Sequence, residues 1–336
     1  MKALAIALLL LQASIARAQT VATEVDVTVG YSTEHIRGAA AQVRTFGEAV
    51  AGVRFFAEGA WAARAGDAAS DVFGGAYPYG NRVQMMEAYS ERLFTPGGGL
   101  VGVRAGRYRS PFGIYGRSDN AYTGFLRPPM IRYDDYFALS NSFIEHGAEL
   151  VVGAPQAFIE TSIGAPADVG NAKRRPGVDT VTRGQVYYQG LIVGASYFRS
   201  QPYKPATFAF GHTVFTGVDA RWMWNGVQLR GEWIAGRPFD GTTTDGGYLD
   251  LFVHRVGMGP VTAVARIERL DYDTPNVARV LFARRAPVDA RIRLPGNVTV
   301  QVNADHQWRQ PIQTKPTTLG VTLTYSVRHD AAISPP

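Results

Sequence analysis

Apolar and polar side chains alternate with period two along most of the chain. Val227, Leu229, Gly231 and Trp233 alternate with Gln228, Arg230 and Glu232, and Val298, Val300 and Val302 with Thr299, Gln301 and Asn303. Val261, Ala263, Ala265 and Ile267 share one face, opposite Arg266 and Glu268; Val288, Ala290 and Ile292 oppose Asp289, Arg291 and Arg293. Leu319, Val321, Leu323 and Tyr325 oppose Thr318, Gly320, Thr322 and Thr324. Shorter stretches repeat the pattern: Leu249, Leu251 and Val253 against Asp250 and His254, Val53 and Phe55 against Arg54, Ala157 and Ile159 against Glu160. Successive side chains of a strand point to opposite faces, so each stretch is a strand with one apolar and one polar face.

A soluble sandwich alternates too, and the connections separate the two cases. Short turns recur at Gly47-Glu48, Thr95-Pro96-Gly97-Gly98, Ala154-Pro155, Gln189-Gly190, Asn225-Gly226, Gly257-Met258-Gly259-Pro260 and Pro295-Gly296-Asn297. Asn-Gly is the signature of a two-residue hairpin. Between these turns lie longer connections: 32–39, 64–81, 109–145, 165–180, 200–212, 237–246, 271–282 and 309–316. Short turns at one end and long loops at the other are the layout of a transmembrane antiparallel β-barrel. The stretches between them give sixteen strands: 22–31, 40–47, 49–63, 82–93, 99–108, 146–153, 156–164, 181–188, 191–199, 213–224, 226–236, 246–256, 261–270, 283–293, 298–308 and 317–327. The first two alternate least clearly, which leaves fourteen as the alternative count. An even number puts both termini at the short-turn end. Barrels of sixteen strands enclose an aqueous channel, and the lipid bilayer is the implied surrounding. Trp222, Trp224 and Trp233, with Tyr187, Tyr188 and Tyr197, fit the aromatic girdles of such a barrel.

The first eighteen residues stand apart. Met1-Lys2 is a positive start, Ala3 to Leu11 an apolar run, and Ala16-Arg17-Ala18 a small-x-small cleavage site. That order reads as a signal peptide over 1–18, with a barrel over 19–327 and a short periplasmic tail over 328–336. The run is shorter than the roughly 20 apolar residues of a membrane-spanning helix. Export through the periplasm to an outer membrane follows. The chain has 34 basic and 28 acidic residues, and the arginines are spread along its whole length, so no patch marks a nucleic-acid partner. With no cysteine, a disulfide framework and a thiolate metal site are excluded.

The connection 109–145 is the third long one. It holds Ser110-Pro111-Phe112-Gly113-Ile114 and Phe125-Leu126-Arg127-Pro128-Pro129-Met130-Ile131-Arg132. A long connection so rich in aromatics and prolines packs on something, and in a barrel the available surface is the inner wall, so this loop is expected to fold into the lumen. Arg104-Ala105-Gly106-Arg107-Tyr108-Arg109-Ser110-Pro111-Phe112-Gly113, with Glu87-Ala88-Tyr89-Ser90-Glu91 before it, resembles the strand and Pro-Phe-Gly element of the phosphate-selective porin O/P family. The last strand, Thr318 to Tyr325, resembles the C-terminal signal read by the barrel assembly machinery. The resemblance implies a porin that passes small solutes passively, assembled as a homotrimer. Two departures limit it. Residues follow Tyr325 where family members end on an aromatic, and only Lys173, Lys204 and Lys315 remain after the signal where the family lines its pore with lysines.

Arginines replace those lysines. Arg54, Arg104, Arg230, Arg266, Arg291 and Arg293 fall on predicted inward faces, and Arg117, Arg127 and Arg132 in the long loop. Glu58, Glu87, Glu160, Asp219, Glu232 and Glu268 face inward as well, with Asp134 and Asp135 in the loop. Guanidinium and carboxylate groups across a pore set up a transverse field, so a narrow eyelet with a weak anion preference is expected. Solvated pairs along the wall are the plainer alternative.

Two rival classes remain. A hydrolase barrel needs a nucleophile or activated water, a base and an orienting group; His254 beside Asp250 is the one pairing of interest, and no H-E-x-x-H or G-x-S-x-G motif is present. A structural or adhesive barrel with a closed lumen is the other. Gly97 to Gly102 matches G-x-G-x-x-G formally, but a turn precedes it and a strand follows, against the order a dinucleotide site needs. No cofactor or metal site is expected.

Overall fold

The computed structural model describes residues 20–33, 37–49, 52–65, 83–114, 129–133, 144–168, 176–203, 212–239, 242–255, 259–273, 281–310 and 317–332. The signal peptide expected over 1–18 lies outside them.

Sixteen strands form: β1 (Thr20–Ser32), β2 (Arg37–Glu48), β3 (Val53–Ala65), β4 (Gln84–Phe94), β5 (Leu100–Arg109), β6 (Ile144–Ala154), β7 (Ala157–Pro166) and β8 (Gly177–Tyr188). The second half holds β9 (Leu191–Pro202), β10 (Thr213–Trp224), β11 (Val227–Phe239), β12 (Thr242–Val253), β13 (Val261–Asp273), β14 (Leu281–Leu294), β15 (Val298–Gln310) and β16 (Thr317–Ala332). Each pairs antiparallel with its chain neighbours, and β1 pairs β16, so the sheet closes on itself. The first two strands form in full, which settles the count at sixteen. Among the described residues the only helix of more than three residues is α1 (Met130–Tyr133).

The alternation sets which face points where. On the outer face Val27, Val29, Leu319, Val321 and Leu323 are exposed, and so are Leu249, Leu251, Ile267 and Val288. The residues between them turn inward, for example Thr28, whose Oγ1 lies 2.9 Å from that of Thr324 across the closing seam. The hairpin signals act as expected. Asn225 and Gly226 both take positive φ, 46° and 81°, as a two-residue hairpin requires. Gln189 and Gly190 do the same at 45° and 83°, and there the first position lacks the short side chain that eases this conformation.

Two boundaries differ from expectation. The connection read over 237–246 is almost all strand: β11 runs to Phe239 and β12 starts at Thr242, with a register irregularity between Gly236 and Phe239. Gly236, Gly246 and Gly247 sit where a Cβ would run into the backbone of the adjacent strand, so they are strand glycines that permit close approach. At the C-terminus, β16 extends to Ala332 and pairs with Thr20 to Glu24. Residues 328–332, assigned to a tail, therefore continue the wall. Arg328 stays paired with Glu24 across that seam, 3.4 Å apart, and a long β1 leaves unpaired backbone there unless β16 follows it.

Replacing Gln189 with glycine should raise stability by about 0.5–1 kcal/mol, because the left-handed penalty of an L side chain exceeds the entropy glycine adds. The urea midpoint of the reconstituted barrel measures this; a lower midpoint than wild type would contradict the turn geometry.

Candidate functional site: the inner wall and its inward loop

Inward residues on neighbouring strands fall into cross-strand rows. In one such row, Arg230, Asp250 and Arg266 are direct partners on β11, β12 and β13. Arg230 Nε donates to Asp250 Oδ2 at 2.7 Å, and Arg266 donates to both Asp250 oxygens at 2.6 and 3.0 Å. One buried carboxylate thus holds two buried guanidiniums. The Arg230 guanidinium also lies 4.4 Å from the centre of the Phe252 ring, and that of Arg266 5.0 Å from Tyr248. A row further along, Glu232, Tyr248, Glu268 and Arg285 are successive partners, and Arg285 pairs with Glu268.

Arg183 on β8 reaches past β9 to Asp219 on β10 with two hydrogen bonds, 2.6 and 2.9 Å. It crosses β9 at Gly194, where a Cβ would collide with the guanidinium and with the Asp219 carboxylate. The glycine is there because the ion pair needs the space.

Beyond the charged rows the inner wall turns apolar. Val181, Phe198, Phe215, Ile234, Leu270 and Ala283 are buried on β8, β9, β10, β11, β13 and β14, and β12 contributes Tyr248 from the row before. The third long loop docks on this shelf. Phe112, Ile114, Met130 and Ile131 join the same cluster, and the Phe112 ring lies where a Cβ on Gly217 would come within 3.2 Å. Polar contacts fix its position. Gly113 N donates to Ser196 Oγ at 3.0 Å, Ile114 N to Glu232 Oε1 at 3.3 Å, and Met130 N to Glu268 Oε2 at 2.6 Å. α1 contacts β12 and β13. The loop therefore leaves β5, enters the barrel and reaches the wall formed by β9 to β13.

A second device lies on the inner wall near the chain termini. Phe46 stacks on Phe56 at 6.5 Å and Phe56 on Tyr89 at 5.3 Å. The Arg104 guanidinium caps the Tyr89 end at 4.6 Å and that of Arg328 the Phe46 end at 5.6 Å. With their faces against one another, these rings form a rib across β2, β3 and β4.

The predicted residues divide accordingly. Arg104 sits between Glu91 at 2.7 Å and Glu149 at 3.2 Å, so Arg104, Arg230 and Arg266 belong to ion-paired rows in the wall. Glu232 and Glu268 anchor the loop. Arg54 is half exposed and 3.2 Å from Glu91; Arg291 is half-buried and Arg293 exposed near the short-turn end. Arg117, Arg127, Asp134 and Asp135 lie outside the described residues, as does the side chain of Arg132. The His254–Asp250 pairing does not form. His254 is exposed past the end of β12, stacked on Phe252, while Asp250 is taken by the two arginines. Among the described residues no group of histidine and carboxylate side chains is arranged to hold a metal.

Sequence reasoning missed Asp250 as the hub, and Ser196, Arg183 and Arg285. It also missed the apolar shelf. The signal for the shelf was present: apolar residues occupy inward positions on consecutive strands, opposite an apolar loop.

A closed sixteen-stranded antiparallel barrel with one loop folded inside is the architecture of the porins, and this chain has that fold. Solved structures agree. OmpF of Salmonella typhi in complex with daunomycin superposes with a TM-score of 0.64 at 12% identity, covering 93% of this chain and 98% of that one. The anion-selective porin from Comamonas acidovorans gives 0.60 at 13% identity, over 94% and 100%. The trimer form of OmpT, an outer membrane protein of Vibrio cholerae, gives 0.56 at 9%, over 91% and 98%. No family model and no curated protein matches the sequence.

Removing one partner of a buried ion pair leaves an uncompensated charge. Asp250→Ala should destabilise the barrel by about 3 kcal/mol, whereas the triple replacement Arg230→Met/Asp250→Leu/Arg266→Met should lie much nearer to wild type. Urea unfolding of the three proteins measures the difference; equal losses in both variants would show that the row contributes through shape alone.

Proposed function

We propose that the protein is an outer-membrane porin, a passive channel for small solutes with a preference for anions. The observation that carries this reading is the pairing of faces: one closed sheet presents apolar residues outward and charged residues inward. An apolar outer band requires lipid, since contiguous apolar surface of this extent has no place in water. A barrel of sixteen strands is wide enough for an aqueous lumen, and the inward loop narrows it where side-chain charge sets selectivity.

The anion preference is assigned to arginines of the inner wall and of the long loop. Arg104, Arg230 and Arg266 are matched by carboxylates, so they contribute a field across the wall more than a net attraction. Arg54, half exposed, shares Glu91 with Arg104. We assign Arg117, Arg127 and Arg132 of the long loop to the basic side of the eyelet and Asp134 and Asp135 to its acidic side, while Arg54, Arg291 and Arg293, toward the short-turn end, add basic charge at that mouth of the lumen. The similarity in fold to an anion-selective porin supports the direction of this preference. Phosphate selectivity is not part of the reading, because the lysines it would draw on are absent from the strands.

The solute path leads to the periplasm, through which the chain itself is exported, with removal of its signal peptide, before the barrel assembly machinery inserts it into the outer membrane. We assign a homotrimer because one similar structure is a trimer form.

Planar-bilayer recording tests the channel. Discrete ohmic steps are expected, with a reversal potential of anion-selective sign in a salt gradient. Arg54→Ala/Arg291→Ala and, separately, Arg127→Ala/Arg132→Ala should move that potential toward zero. A correctly folded barrel that conducts nothing would overturn the porin reading, and unchanged selectivity in both variants would overturn the arginine assignment.

A further inference from the structure

The outer wall of β10 to β15 is not uniform. It holds an apolar groove of about 910 Å³ whose floor includes Gly231 and Ala286 and whose sides include Leu249 and Ile267. At its long-loop end runs one cross-strand row. Trp233 pairs with Gly247, Gly247 with Arg269, Arg269 with Arg284, and Arg284 with Trp308. All five point outward. Two arginines therefore stand side by side on adjacent strands, between two tryptophans, at the edge of an apolar groove.

That arrangement is unfavourable in isolation. Like charges directly opposite across a pair of strands repel, and an arginine on the lipid face is tolerated only near the interface. Their depth meets the second condition. Below Arg269 the outward residues of β13 are Ile267, Ala265, Ala263 and Val261, and below Arg284 those of β14 are Ala286, Val288, Ala290, Ile292 and Leu294. Eight residues of tilted strand give roughly 20 Å of barrel height. The pair thus ends the apolar band, at the level of the lipid headgroups.

Asp271 meets part of the first condition. It accepts from Arg284 Nη1 at 2.6 Å and also from Arg269, and Asp245 lies 3.9 Å from Arg269. Asp273 follows at the end of β13. The cluster is therefore not a bare basic patch. Yet Asp271 is largely buried between the arginines at 12% exposure, while the side chains of Arg269 and Arg284 remain 50% and 36% exposed. Arg269 and Arg284 are among the residues that line the groove, and Asp245, Asp271 and Asp273 are not. The Arg269 guanidinium is also held 5.5 Å from the centre of the Trp233 ring.

We propose that this groove binds a phosphate-bearing lipid, its acyl chain along the Gly231–Ile267 floor and its phosphate on Arg269 and Arg284. Guanidinium matches phosphate in planar, two-bond geometry, the flanking indoles suit the headgroup boundary, and a groove in the wall takes a chain that a smooth wall would leave mobile. The inference rests on the outer wall facing lipid.

Tryptophan quenching tests it, with the purified protein in vesicles of phosphatidylcholine containing lipids with brominated chains. Brominated phosphatidic acid should associate about fivefold more strongly than brominated phosphatidylcholine, the preference one basic residue near a membrane surface supplies. Brominated diacylglycerol, which lacks the phosphate, should show no preference. Arg269→Gln/Arg284→Gln should bring the ratio to one, and Ala286→Phe, which fills the groove, should weaken quenching by both phospholipids. Added inorganic phosphate should not displace the lipid. Equal quenching by phosphatidic acid and phosphatidylcholine in the wild type would overturn the proposal, as would a preference that survives the double substitution. If the double variant does not fold, judged by its gel mobility before and after heating, Arg284→Gln alone carries the test. Wild-type protein that fails to insert into vesicles would instead remove the membrane reading beneath it.

Discussion

A sheet edge leaves a row of backbone N–H and C=O groups without partners, and the closure that removes both edges shapes the rest of the molecule. An open sheet of sixteen strands would leave two edges unpaired. The pairing of β1 with β16, from Thr20 opposite Ala332 to Ser32 opposite Gly320, removes both. Once the sheet is closed, the period-two alternation has only two destinations, the outer face and the lumen, and each side chain is committed by its register. A slip of one residue would exchange the two faces of a strand, turning Leu249 and Leu251 inward and Asp250 outward. Register is therefore held tightly by the side chains as well as by the ladder, and the turns with two positive φ angles fix it at the short-turn end.

Closure also concentrates charge. Residues that would face bulk water on an open sheet face one another around the lumen. The structure answers by matching them in rows: Arg230, Asp250 and Arg266 in one, Glu232, Glu268 and Arg285 in the next. A glycine at 194 gives passage to the Arg183–Asp219 pair. Where the rows stop, the apolar shelf begins, and the loop that leaves β5 is received there. The same carboxylates serve both ends of this design, since Glu268 accepts from Arg285 on the wall and from the Met130 N–H on the loop. Position of the loop and charge balance of the wall are consequently coupled: a change at Glu268 acts on both.

The outer face shows the complementary economy. Charge is absent from it over the middle of β13 and β14 and returns as Arg269, Arg284 and Asp271, where the apolar band ends. The proposed lipid site and the proposed channel thus use opposite faces of the same strands. Arg284 and Arg285 are chain neighbours, yet one borders the outer groove and the other is buried on the inner wall against Glu268.

Local pattern in the chain is enough for the class of fold, because alternation and the short-long rhythm of the connections are properties of neighbouring residues. Sixteen strands, with fourteen as the alternative, and the end at which the termini lie follow from them, and the aromatics and prolines of the third long loop point to its inward course. What depended on a neighbouring strand was harder to read: residues 242–245 belong to β12 and not to the connection expected over 237–246, and the close approach of β13 at Gly246 shows only in three dimensions. The extension of β16 to Ala332 likewise depends on the length of β1, some 300 residues away in the chain. For the inner wall, the chain could tell which residues point inward and could not tell which of them meet. Asp250 becomes a hub and Arg266 its partner only when β11, β12 and β13 are set in register, and Glu232 becomes a loop anchor only when Ile114 arrives from across the lumen. Periodicity encodes direction, and direction suffices for a fold. Partnership is decided by distance in three dimensions, which closure of the barrel alone supplies.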